Sequence, residues 1–135
     1  VRTTSGSGEW INLAVSFNGS STSWSNKYLY GTGSATGSNG TSTNYYAAGV
    51  GNPSTTTSNT FSTDEMYIPN YTSSNYKSLS YYTATENNAT SALIQLGTAI
   101  WSDTAAITSV TISPQSGVGD FAQYSTFYLY GIKNS

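Results

Sequence analysis

The sequence predicts an all-β fold, an antiparallel β-sandwich or jelly roll, and three observations lead there. Apolar residues recur with a period of two, not 3.6. Short strand-like runs return roughly every 8–15 residues, separated by Gly, Asn, Ser and Pro turn chemistry. No segment carries the apolar stripe of an amphipathic helix. With 135 residues the chain holds one core, so residues 1–135 are read as a single β-sandwich domain.

Each element has its own justification. In 11–17, Ile11, Leu13, Val15 and Phe17 alternate with Asn12, Ala14 and Ser16, as in a strand with one buried face. Asn18-Gly19 ends the run with a pair suited to a turn at positive φ. KYLYG at 27–31 is the next strand, and the GTGSATGSNGTST stretch after it reads as a glycine–serine loop with no order of its own. TNYYAAGV at 43–50 reads as a short strand. FSTDEMYI follows and stops at Pro69, which cannot donate to a ladder. YKSLSYYTAT at 76–85 sets Leu79 and Tyr81 against Ser78, Ser80 and Tyr82. ALIQLGTAIW at 92–101 fits a bent or bulged strand better than a helical turn. AITSVTISP at 106–114 puts Ala106, Thr108, Val110 and Ile112 on one face, and TFYLYGI at 126–132 is expected to close the domain.

Composition narrows the function classes. Only 7% of residues are charged, against roughly 25% in ordinary soluble domains. Ser, Thr, Asn and Gly make up about half the chain, so its surface is polar without being ionic. The four basic residues, Arg2, Lys27, Lys77 and Lys133, are scattered, and a nucleic-acid partner needs clustered cations. No apolar run approaches the roughly 20 residues of a membrane span. Neither a nucleic acid nor a membrane is therefore an expected partner.

The chemistry is limited by what is missing. The chain has no histidine and no cysteine. That removes imidazole catalysis, His or thiolate metal ligands, thiol nucleophiles and disulfides. Six carboxylates remain: Glu9, Asp64, Glu65, Glu86, Asp103 and Asp120. Asp64 and Glu65 are neighbours on a strand and point to opposite faces, so they cannot pair locally as a glycosidase requires. Calcium at Asp103 and Asp120 lacks any spaced acidic loop to support it. The glycine-rich segment lacks the lysine and following helix of a phosphate cradle. The Asn18, Asn39, Asn70 and Asn88 sequons are as many as this composition produces by chance. No catalytic residue, metal or cofactor is expected.

The aromatics are the remaining functional candidates: 12 tyrosines and 3 tryptophans. An exposed aromatic ring stacks on a sugar face, and a tyrosine hydroxyl also bonds its substituents. Trp10, Trp24, Tyr45 and Tyr46 sit near predicted loops and are the candidate glycan-stacking residues. Most other tyrosines read as covering a sheet, a loop or a subunit. Phe127, Leu129 and Ile112 are expected to seal the core, with Tyr128 and Tyr130 facing solvent or a neighbour.

Two stretches, YIPNYTSSNYKSLSYYTATENNAT and AIWSDTAAITSVTISPQSGVGDFAQYSTFYLYGIK, are similar to the C-terminal half of a family of tailed-bacteriophage structural proteins. The shared pattern is an IPNY strand, a W-S-x-T-A-A-I strand, a G-x-F-x-x-x-S-T turn and a terminal L-Y-G-I-K. LAVSFNGSSTSWSNKYLYGTGS resembles the family's FNGD-type hairpin, with Ser20 where an acidic residue is common. The likeness covers about 10–33 and 65–133. It implies a non-enzymatic β-sandwich on the virion exterior, either a capsid decoration or cement protein or a tail-fibre domain. It implies other virion structural proteins as partners and a homo-oligomer, with a trimer as one arrangement. Because the family carries a strand or hairpin upstream of the FNG segment, Val1 is expected to lie mid-protein. A carbohydrate-binding module for host-surface glycans is the alternative reading, and it rests on the aromatics and neutral polar loops.

Overall fold

The computed structural model describes residues 1–42, 45, 47–88 and 92–132. It is an antiparallel β-sandwich of two sheets, without helix among those residues. The strands are β1 (Ile11–Phe17), β2 (Trp24–Gly31), β3 (Thr36–Thr41), β4 (Val50–Gly51), β5 (Thr63–Tyr67), β6 (Lys77–Ala84), β7 (Ile94–Trp101) and β8 (Val110–Pro114). Three form the sheet β4-β1-β8, and five form the sheet β3-β2-β7-β6-β5.

The period-two pattern converts directly into two faces. β6 alternates buried and exposed residues along its length, with Lys77, Leu79, Tyr81 and Thr83 inward and Ser78, Ser80 and Tyr82 outward. Leu13, Val15 and Phe17 of β1 meet Leu79, Tyr81, Ala99 and Trp101 across the core. At one end Phe17 packs against Trp24 with ring centroids 4.9 Å apart and against Trp101 at 5.5 Å, edge-on. Asn18 (φ 53°) and Gly19 (φ 75°) make the predicted tight turn, closed by Ser20 N–H donating to Phe17 O at 2.8 Å.

Several expectations are corrected. The glycine–serine segment is not a loop throughout, because Thr36–Thr41 forms β3 and pairs with β2 over six residues. Ladder bonds to β2 order it where its own composition does not. In 43–50 only Val50 enters a named strand; Tyr45, Ala48 and Gly49 bond β1 irregularly, and Thr43, Asn44 and Tyr46 lie outside the described residues. β7 runs without a bulge, in continuous register with β2 and β6. Ahead of β8 the face assignment shifts: Ile107 is buried, whereas Ala106 and Thr108 are exposed. Asn18 fastens this segment, its Oδ1 accepting from Thr108 N–H and Ser109 N–H and its Nδ2 donating to Ala106 O, while Ile107 N–H donates to Tyr71 O. The largest correction is at 126–132, which joins no sheet. Phe127 and Leu129 do not seal the core and are exposed, while Ile112 packs against the core only in part.

Candidate interaction surface

Trp24, one of the four candidate stacking residues, is a core residue, 1% exposed. Its place on β2 opposite Trp101 turns its indole inward, so it cannot meet a glycan. Tyr45 is half-buried and packs against the same core. Trp10 is half-buried beside the start of β1. Tyr46 lies outside the described residues. Trp10, Trp24 and Tyr45 do not form an exposed platform.

The exposed aromatic and aliphatic side chains lie elsewhere, on the outer face of the five-stranded sheet. Register places Leu29, Leu96, Tyr82 and Glu65 in one row across β2, β7, β6 and β5. Ile94 and Ile100 lie two residues to one side of Leu96 and four to the other, on the same face of β7. Leu29 is 63% exposed and Leu96, Ile94 and Ile100 are 57%, 57% and 44% exposed. Tyr67 stands opposite Ser80, diagonal to Tyr82. Two shallow depressions meet at Leu96 and Gly97: one is lined by Lys27, Leu29, Ser38, Asn39 and Thr98, the other by Glu65, Tyr67, Ser80 and Tyr82.

Sequence reasoning placed Tyr82 outward but missed Leu29, Leu96, Ile94 and Ile100. The signal was present in ALIQLGTAIW, where aliphatics occupy both parities. Such a strand has two apolar faces, and only one can face its own core.

Asp64 ties the two sheets together. Its carboxylate accepts from Val50 N–H on β4 at 3.1 Å, from Thr83 Oγ1 on β6 and from Ser62 Oγ at 2.8 Å. The Val1 ammonium is 4.0 Å away. Burial pushes the Asp64 carboxyl above its ordinary range, against the pull of the Thr83 and Ser62 hydroxyls. Glu65 projects outward from the opposite face, as expected. The remaining polar anchors are also structural. The Arg2 guanidinium donates to the carbonyls of Ser54, Thr56 and Thr57, holding the 53–60 loop. Lys77, 1% exposed, donates to Asn75 O at 2.6 Å. Among the described residues no three metal-ligating side chains come together, and no helix is long and apolar enough to cross a membrane.

Comparison with known proteins finds no matching family model, no similar curated protein and no similar solved structure.

Proposed function

We infer that this chain is a non-enzymatic structural protein of a bacteriophage virion exterior, a capsid decoration protein or a tail-fibre domain, held in place by protein–protein contacts. The observation that carries the reading is the apolar row Leu29–Leu96–Tyr82, flanked by Ile94 and Ile100, on the outer face of the five-stranded sheet. Contiguous exposed apolar side chains rimmed by polar ones mark protein interaction surfaces. The charged side chains of this face, Lys27 on β2 and Glu65 on β5, stand to either side of the apolar centre, so that centre packs without desolvating an ion, which is costly. The likeness of 65–133 to phage structural proteins supplies the setting. The test is fractionation of purified particles followed by mass spectrometry of the intact virion band. The chain is expected in that band at a stoichiometry set by the particle's symmetry, and recovery only from the free lysate overturns the reading.

A second reading, glycan recognition in host attachment, is favoured by one feature. Tyr67 and Tyr82 flank Glu65 on the exposed face, giving ring surfaces beside a hydrogen-bond acceptor. A glycan array probed with the assembled protein tests it. Binding that Tyr82→Ala abolishes supports it, and no binding to any glycan ends it.

A further inference from the structure

We propose that residues 126–132 form an exchange arm that leaves its own sandwich and adds as a strand to the free edge of β8 in a second copy of this chain. TFYLYGI has the make-up of a core strand, aromatic and aliphatic with a period of two. Yet it enters no ladder among the described residues, and Tyr128, Leu129, Tyr130 and Ile132 are 77%, 89%, 80% and 73% exposed. The arm is already extended: the Tyr128 and Tyr130 rings, two residues apart, stack at 6.4 Å with planes 18° apart. Its root is fixed by Phe127 against Phe121 at 4.8 Å.

The receiving edge is visible in the same molecule. β8 ends the three-stranded sheet, which faces a sheet of five. Val110 and Ile112 share a face with Phe17 and Val15, their partners on β1. Phe17 and Val15 are 0% exposed, but Val110 is 37% exposed and Ile112 only partly covered. The core is thus one strand short on the β8 side. With Phe127 held at the root, a strand added there sets Leu129 over the core beside Val110 and Ile112, and Tyr128 and Tyr130 outward beside Thr111 and Ser113.

The chain cannot supply that strand to itself. Residues 120–122 pair with Arg2–Thr4, which bond Asn52 next to β4, at the edge of the sheet opposite β8. Three strands and β8 itself separate the arm's root from the vacant position, five spacings of about 4.8 Å, or about 24 Å. Seven residues reach about 24 Å when fully extended, so the span alone would consume the arm. Pairing therefore occurs between copies. Because arm and acceptor lie on opposite edges, the contact is head-to-tail and closes into a ring or propagates.

The inference does not depend on which particle the protein serves, and it is tested on the purified full chain. Native mass spectrometry across a concentration series is expected to show oligomers, and Leu129→Glu is expected to shift them to monomer with an unchanged near-UV spectrum. The chain has no cysteine, so engineered pairs report cleanly. Mixing Thr111→Cys chains with Tyr128→Cys or Tyr130→Cys chains is expected to give a disulfide between the two different chains. A wild type monomeric at every concentration overturns the proposal. So does an oligomer that Leu129→Glu leaves intact, which points to the outer sheet face, or arm cysteines that couple only to each other.

Discussion

Gly97 lies at the middle of β7, between Tyr28 on β2 and Tyr81 on β6. A Cβ there would fall within the Tyr81 ring, which fills the space over the glycine. Gln95 Nε2 donates to the Tyr81 hydroxyl at 3.3 Å, and burial raises that hydroxyl's pKa, with Tyr28 adding to the effect. Gly97→Ala must displace a buried aromatic ring and is expected to cost about 1–3 kcal/mol, read from the denaturant midpoint at constant slope. Asp64 makes a prediction of the opposite kind, in pH. A carboxyl whose folded pKa exceeds its ordinary 3.8 binds its proton more readily in the fold than in the unfolded chain. Its contribution is full below that ordinary value and is lost as pH rises through the raised one. Wild type should therefore lose stability relative to Asp64→Asn as pH rises from the ordinary 3.8 through the raised value. Parallel curves for the two proteins would rule this out.

At the scale of elements, the β1–β2 hairpin does more than reverse the chain. Asn18 takes the positive φ that the turn needs and also fastens 106–109 ahead of β8. Two substitutions separate these roles. Asn18→Gly keeps the turn and loses the side-chain bonds, whereas Asn18→Ala loses the bonds and strains the backbone as well. Both should destabilise the fold, Asn18→Ala the more, with the bonds contributing about 1–3 kcal/mol. Equal stability of Asn18→Gly and wild type would remove the clamp from the account. β3 shows the reverse dependence, a strand whose order comes from its neighbour. Its residues bury little, and its six pairs with β2, together with Thr41 N–H donating to Asn26 Oδ1, hold it in place.

For the whole molecule the sandwich is asymmetric, with five strands facing three. It leaves an apolar outer face on the larger sheet and an open edge on the smaller one. If the outer face is an interface, a charge at its centre should act on assembly and not on folding. Leu96→Lys is expected to leave the thermal midpoint within a few degrees of wild type and to reduce incorporation into particles at least tenfold, measured by quantitative proteomics of purified virions. Normal incorporation of Leu96→Lys would remove that face from the assembly.

Much of the fold was legible in the residues because alternation states which side of a strand is buried before any partner is known. β5 and β6 follow this rule, and β1 follows it on its inward face although Ala14 on the other face is buried as well. The Asn18-Gly19 turn was legible because its φ requirement is local. The lack of histidine and cysteine was equally a property of the chain alone. Tertiary structure decided whatever depends on a partner strand. It drew Trp24 into the core, raised β3 from a glycine–serine segment, and left β7 with a second apolar face exposed. It also left Phe127 and Leu129 outside, where their alternation had placed them inside. Periodicity assigns a residue to a face, but only the available hydrogen-bonding edges determine which core, or whose, that face covers.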